Sequence, residues 1–520
     1  MCGIAGISLT QGGNAKVALN AMLESLQHRG YSHFETYTTG HWGLGANRLE
    51  IVDPANGRQP FQSNDGAVTA VLNGEIYNHH RLRRELQQLG CQFRSQNDTE
   101  VIAHGYRHWG EALFSRLDGM FAILLYDARN SRLLAVRDPL GVKPLYTVTN
   151  SEGEFFASEI KALLGLRGTI TEVAPGEIRL SGGQQKPYAD PRRQECVVSE
   201  DLAENARKLR ELLRASIEKR VDTNLPIAVF LSGGIDSAAV MYEAARAHSD
   251  VTAFSIGLED SSDVQSAMRL CKELGFRYEH ISVKWDDLLQ AIPDVIWTIE
   301  SFEPNHVRGG TLSYVLSRAV ARAGYRIALC GEGADELFGG YAEVGLAVRQ
   351  GQSAETVQGM LSRFVNELHR TQLQRIDRTS MRFTLEMREP FLDKRVVRFA
   401  RALPLAHKVS RLADNSIENK RVLRAAYRGV LPDWVVNRGK VVLSQGAGFG
   451  SNGPEGPFYA HALEEMSEQG FQAIRRARPA FGLRNREEAY YFETFREKFG
   501  PLLLAAHRPL VNASAAAEAQ

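Results

Sequence analysis

The sequence predicts two unlike domains in series, an α+β domain of sheets with helices packed on their faces and then an α/β domain on a parallel sheet with a helical C-terminal part. Three observations carry this. Up to about residue 180 short β-rich segments are punctuated by Gly, Asn and Asp, whereas from residue 227 onward nearly all-apolar strands alternate with helical stretches. Between them lies a polar run, residues 181–194, with glycines and prolines but no periodicity. A chain of 520 residues has ample material for two or three cores.

Taken in order, residues 68–72, 120–126, 132–136 and 154–157 read as strands, and the apolar spacing of residues 15–26 and 79–89 reads as two amphipathic helices. We expect a first domain over 2–185, a linker over 186–199 and a second domain over 200–510. The second opens with a helix over 200–221. Continuous apolar runs at 227–231, 251–256 and 327–330 then predict buried parallel strands. Beyond Tyr341 the pattern is mostly helical. Residues 511–520 lack an apolar face and read as a disordered tail.

Composition excludes several classes of function. With 62 basic and 61 acidic residues no global field attracts nucleic acid or an anionic membrane. The five cysteines (Cys2, Cys91, Cys196, Cys271, Cys330) are scattered, with neither zinc-site spacing nor disulfide density, which suits a reducing compartment. No apolar run approaches the roughly 18 residues of a membrane span and no secretory leader is visible, so a cytoplasmic protein is expected.

Cys2 directly follows Met1. Removal of Met1 would put a thiol and a free α-amine on one residue, a nucleophile with its own base suited to acyl transfer through a thioester, since the amine titrates near ~7.7–8.0 and the thiol near ~8.5. A small buried residue at the start of a strand is the plainer reading. In the second half, Phe230-Leu-Ser-Gly-Gly-Ile-Asp-Ser237 follows a buried strand and opens a helix over 238–247, which makes a phosphate cradle of backbone N–H groups. It lacks the Gly-Lys-Ser/Thr ending of the common NTPase loop. Cys330-Gly-Glu-Gly-Ala-Asp-Glu-Leu-Phe-Gly-Gly340 follows another strand and concentrates three carboxylates in a glycine frame. Parallel strands deliver such loops to one edge, so Asp236 and Asp335 could face the same phosphates through Mg²⁺. Arg308 and Lys440 are candidates to neutralise a departing pyrophosphate.

Taken together, Cys2-Gly-Ile, Asn73-Gly-Glu-Ile-Tyr77, Ser232-Gly-Gly-Ile-Asp-Ser237, Gly331-Glu-Gly-Ala-Asp-Glu-Leu-Phe-Gly-Gly-Tyr341 and Arg388-Glu-Pro-Phe-Leu-Asp393 resemble the glutamine-hydrolysing asparagine synthetases, in order and spacing, over residues 1–450. The resemblance implies an N-terminal-nucleophile glutaminase domain of stacked antiparallel sheets, joined to an ATP-pyrophosphatase domain that activates a carboxylate as its acyl-adenylate. It implies that Cys2 attacks the glutamine amide and that Asn73 with the Gly74 N–H stabilises the oxyanion, one such donor being worth ~2.7–4 kcal/mol. Arg48 would hold the glutamine α-carboxylate, with Leu49, Ile51 and Val52 beside it, and Glu75 and Asp98 would pair with its α-ammonium. Adenine and ribose would lie against Phe230, Leu231, Ile256, Cys330 and Gly331, and the phosphates against Ser232, Gly233, Gly234 and Ser237. Asp236 and Asp335 would hold Mg²⁺ and pyrophosphate, Lys440 would stabilise charge, Glu332 would accept a proton from attacking ammonia, and Asn305 and Arg308 would contact the acceptor. A shielded path for ammonia between the sites and a homodimer are also implied.

This chain departs from the family's usual wording in three places. His28-Arg-Gly-Tyr-Ser-His-Phe34 stands where His-Arg-Gly-Pro-Asp-Gly is usual, Asn305 stands for a common Thr, and the residues after Lys440 differ. Aspartate is the default acceptor. Another amino acid, a peptide end or a sugar acid, intramolecular ring closure, and a non-catalytic glutamine or nucleotide sensor are the alternatives.

Overall fold

The computed structural model describes residues 1–11, 13–30, 34–188, 196–450 and 456–506, the last six as helix backbone. The variant loop at Tyr31 to His33 and the expected tail 511–520 lie outside the described residues.

Twelve strands build the first half: β1 (Cys2–Leu9), β2 (Glu35–Thr39), β3 (Trp42–Arg48), β4 (Phe61–Gln62), β5 (Val68–Ile76), β6 (Gly119–Asp127), β7 (Arg132–Arg137), β8 (Tyr146–Thr149), β9 (Gly153–Ala157), β10 (Ile170–Glu172), β11 (Glu177–Leu180) and β12 (Gln185–Pro187). They form two antiparallel six-stranded sheets, ordered β10-β8-β9-β1-β3-β2 and β12-β11-β7-β6-β5-β4. Their inner faces meet in one dry core, where Ile4, Leu44 and Ala46 of the first sheet pack on Val71, Ala122, Leu124 and Leu133 of the second. Helix Ala15–Glu24 covers the outside of the first sheet through Leu19 and Leu23, and helices His79–Gln88 and Glu100–Trp109 cover the second. With both faces of each sheet covered, the central strands β1 and β5 are buried almost throughout, as their apolar runs require.

Two expectations change here. The helix foreseen over 15–26 stops at Glu24 and tightens into a 3₁₀ turn, Gln27–Arg29, which brings Arg29 inward. The start of the expected linker, Lys186 and Pro187, belongs instead to edge strand β12, because its side chains are all exposed while its backbone pairs with β11.

The second half holds one parallel sheet, ordered β15-β14-β13-β16-β17, from β13 (Ile227–Phe230), β14 (Val251–Gly257), β15 (Arg277–Ser282), β16 (Ile327–Leu329) and β17 (Glu386–Arg388). The three apolar strands foreseen are its centre. The edges were not foreseen: β15 alternates polar residues, and β17 is a three-residue insertion among helices. Strand order reverses at β13, so the loops after β13 and β16 diverge from neighbouring carboxyl ends and leave a crevice between them.

The halves share a core. Met1, Leu49, Ile51, Met120 and Val142 pack in the same cluster as Leu231, Ile235, Ala334 and Phe391. Around it, Arg29 reaches Glu159 at 2.6 Å and Asp377 at 3.0 Å, Lys143 meets Asp377 at 3.5 Å, and Lys161 meets Glu300 at 3.1 Å, all buried. Pairs of this kind repay their desolvation only when fully bonded, so they fix the docking geometry more than they stabilise it.

Candidate active site

The thiol lies at the seam of the two antiparallel sheets. Cys2 opens β1 opposite Arg48 of β3, and its backbone N–H donates to Asn73 Oδ1 of β5 at 3.2 Å. That bond orients the amide and leaves Asn73 Nδ2 a buried donor without a hydrogen-bond partner. Gly74 follows at φ +145°, where a Cβ would lie 1.9 Å from the Met120 carbonyl oxygen, so only glycine lets β5 pass this close. Gln59 approaches Cys2 Sγ with Nε2 at 3.5 Å and is fixed by two bonds to the Leu72 backbone, at 3.2 and 2.7 Å. Burial raises the Cys2 thiol above its ordinary value.

Met1 is present, so the Cys2 nitrogen is a peptide N–H. The Met1 ammonium is fully buried against Glu386 Oε2 of β17 at 2.7 Å, while its carbonyl accepts from Leu49 N–H at 3.0 Å. Arg48 turns toward the following loop and donates to the carbonyls of Val52, Asp53 and Pro54 at 2.9, 2.6 and 3.0 Å, with Ile51 packed in the shared core. Glu75 faces Arg388 at 3.3 Å and Asp98 accepts from the Ile76 N–H at 2.9 Å. Burial raises both carboxyls, Glu75 strongly because Glu386 and Asp98 add like charge.

The second constellation fills the crevice between β13 and β16. Phe230 ends β13, and Leu231 continues with its N–H on the Phe254 carbonyl at 2.8 Å, on the same strand as Ile256 of β14. In the loop, Ser232 N–H and Oγ both meet Ser237 Oγ at 3.2 Å, and Gly233 at φ +71° passes where a Cβ would lie 2.5 Å from Ser266 Cβ. Helix Ile235–Ala247 opens at Gly234. Cys330 N–H bonds the Arg388 carbonyl at 3.2 Å, and at Gly331 a Cβ would stand 2.9 Å from Asp236 Cβ, so the loops after the two strands touch.

Asp236 and Asp335 converge there on a cation absent from the sequence reading. Lys420 Nζ lies 2.5 Å from each, and Lys440 Nζ lies 2.5 Å from the second oxygen of Asp335. Burial alone would raise the Asp335 carboxyl, but Lys420 and Lys440 hold it below its ordinary value. Asp236 Oδ1 is buried and unpartnered, which suits a cation brought in with phosphate oxygens. Among the described residues there is no cluster of three or more metal-ligating side chains. Arg438 reaches the Ser232 carbonyl at 2.8 Å. Glu332 pairs with Arg375 at 2.7 Å, and Glu336, bonded by the Tyr341 hydroxyl, is pushed up to about 7 by burial and then by Asp335 and Glu332. Arg308, expected among the phosphate or acceptor cations, is buried in a bidentate pair with Glu487 instead. Asn305 is exposed and bonds Glu303 at 3.4 Å.

The family model described as Glutamine amidotransferase domain matches residues 1–181, and the one described as Asparagine synthase matches 208–349 and 342–499. Asparagine synthetase [glutamine-hydrolyzing] 2 of Arabidopsis thaliana is 33% identical over 96% of this chain and 88% of its own length, and the asparagine synthetase of Sandersonia aurantiaca is 31% identical over 96% and 97%. The chain belongs to the glutamine-hydrolysing asparagine synthetase family. Among solved structures, glutamine phosphoribosylpyrophosphate amidotransferase from B. subtilis matches 70% of this chain and 93% of that one at 17% identity and a TM-score of 0.33.

Beside the family's motif residues stand Lys420, Arg375, Gln59 and Glu386, which carry no motif. Lys420 occupies a left-handed position, φ +51°, at the start of helix Arg421–Tyr427, an uncommon conformation for a lysine that only the folded chain reveals. No helix among the described residues is long and apolar enough to cross a membrane.

Proposed function

We propose that this chain is an ATP-dependent, glutamine-hydrolysing amidotransferase that adenylates a carboxylic acid and replaces the AMP with ammonia, giving an amide, glutamate, AMP and pyrophosphate. The observation that carries the reading is that the thiol end and the phosphate loop share one core: Met1, next to Cys2, and Leu231, next to Ser232, pack in the same apolar cluster. Ammonia freed at Cys2 would have to cross this shared interior, away from the bulk water that would protonate it.

Removal of Met1 would free the α-amine of Cys2 to take the thiol proton. The sulfur attacks the glutamine amide carbon, and Asn73 Nδ2, otherwise without a partner, donates to the oxyanion with the Gly74 N–H. Arg48 exchanges loop carbonyls for the glutamine α-carboxylate, and Glu75 and Asp98 take its ammonium. In the second crevice the Ser232 to Ser237 loop cradles ATP phosphates at the start of helix Ile235–Ala247. Asp236 and Asp335 would hold Mg²⁺, which would screen the phosphates as the acid carboxylate attacks the α-phosphorus. Lys420 and Lys440 stabilise the leaving pyrophosphate. Glu332 takes a proton from ammonia as it attacks the adenylate carbonyl.

The names of the relatives point to aspartate as acceptor. A second reading, amidation of a different carboxylate, is favoured by the Arg308–Glu487 pair, which occupies the guanidinium expected to meet aspartate. Family likeness also supports a homodimer in the cytoplasm; light scattering tests the first. Pyrophosphate release measured over a panel of acids, with glutamine and then ammonium as donor, tests the whole. Acid-dependent pyrophosphate with both donors is the expected result, and none with either refutes it in favour of a sensor.

A further inference from the structure

The seam between the two halves holds a cavity of about 120 Å³ whose walls contain none of the catalytic or ligand residues of either site. Leu117, Met120 and Leu140 of the first half form an apolar wall, and Leu392 faces the same space from the second half with charged residues around it. A cavity of ~150 Å³ accommodates benzene, so a guest here is small.

Most of the charges on these walls are matched. Asp118 is held by Lys219 at 2.8 Å, Asp393 by Lys219, Arg220 and Arg395, and Asp138 accepts from the backbone N–H groups of Leu140, Val142 and Lys143 at 3.1, 3.0 and 3.0 Å. Two lining residues are left over. Glu389 is 2% exposed and Arg398 is half-buried, and among the described residues neither side chain enters a hydrogen bond or an ion pair; Glu389 Oε1 and Arg398 Nε are both buried and unpartnered. Burial, outweighing the pull of Lys143, pushes the Glu389 carboxyl up to about 7, as befits an acid that lacks a cation at contact distance. Arg398 lies one turn after Lys394 on helix Lys394–Ala402, and both line the cavity. Like charges at this spacing repel, and Lys394 donates to a neutral group, the Leu117 carbonyl at 3.1 Å. An anion between the two would relieve the repulsion.

We infer that this cavity binds a small α-amino acid, its carboxylate on Arg398 and Lys394 and its ammonium on Glu389. A simple anion would leave Glu389 without a partner, and a simple cation would leave Arg398 without one; a zwitterion answers both. Because each half supplies a wall, the guest touches both domains. The site is distinct from the glutamine pocket and the second crevice, so the inference goes beyond the adenylating function and does not rest on it.

Equilibrium dialysis of the full chain against labelled L-alanine tests this, with propionate and ethylamine as probes that each lack one head group. Alanine is expected to bind, and each single-headed probe to bind at least about tenfold more weakly, the scale of one lost hydrogen bond between charged groups. Glu389→Gln and Arg398→Met should each weaken alanine binding by about the same factor. Arg398 is half-buried, so its variant serves if Glu389→Gln folds poorly, and thermal unfolding without ligand checks both. Arg48→Met, which alters the glutamine pocket, should leave alanine binding unchanged. No binding of alanine, equal binding of alanine and propionate, or binding lost in Arg48→Met and kept in Arg398→Met overturns the proposal. None of these results bears on pyrophosphate release, so the adenylating function stands or falls by its own test.

Discussion

The thiol site and the phosphate crevice set their charges in opposite ways, the first buried and the second opening to solvent at Lys440. Beside Cys2 three carboxylates, Glu75, Asp98 and Glu386, crowd one guanidinium and one ammonium, and burial drives Glu75 and Asp98 upward. In the crevice two lysines flank Asp335 and drive it downward. Carboxylates crowded on one another are pushed toward their neutral form, whereas a carboxylate held between two lysines stays ionised. Residue type is the same in both places, and neighbours decide what it does.

Four outcomes would break or sharpen this contrast. Cys2→Ala should abolish glutamine-dependent amidation while ammonium-dependent pyrophosphate release continues; loss of both would make the thiol structural. Lys420→Met should leave Asp236 and Asp335 with one lysine fewer between them and lower pyrophosphate release by ~10²–10³-fold, the scale of one well-placed electrostatic donor, with glutamine hydrolysis retained. An effect below tenfold would assign the work to Lys440. Asn73→Ala should reduce glutaminase kcat by about 10²–10³-fold and spare ammonium-dependent synthesis. A change confined to KM would mean that the free amide nitrogen binds substrate rather than the oxyanion.

The smallest effect is on stability. Glu389 is pushed up to about 7, first by burial, as is Glu336. Each binds its proton more tightly folded than unfolded, so its contribution is complete below the ordinary carboxylate value and fades as pH rises through about 7. Thermal unfolding of Glu389→Gln should therefore lose less Tm than the parent between pH 5 and pH 8. Parallel declines would show that Glu389 ionises normally.

Much of the frame was legible in the chain. Apolar runs located β5, β6, β13, β14 and β16 because strands buried on both faces leave no polar alternation to confuse. Asp236 and Asp335 were legible because their loops frame them with glycines, Cys2 because it directly follows Met1, and Asn73 only through its likeness to the family's wording. Lys420, Arg375 and Glu487 were not. Their partners lie 184, 43 and 179 positions away in sequence, and a lone charged residue on a helix reads as solvated until its neighbours are known. The short strand β17 was hidden for a related reason: three residues carry no period, and only pairing with β16 makes them a strand. Arg308 was legible as a charged residue, but its buried pairing with Glu487, 179 positions away, was not.

The shared cluster that joins Met1 and Met120 to Leu231 and Phe391, with Arg29 and Lys143 sunk onto Asp377, has a practical corollary for anyone dissecting the enzyme. Cutting the polypeptide between its halves would expose greasy surface and strand ionised groups on both fragments, so each piece should aggregate when produced alone. Chimeras that exchange acceptor specificity among relatives must carry the whole seam with them.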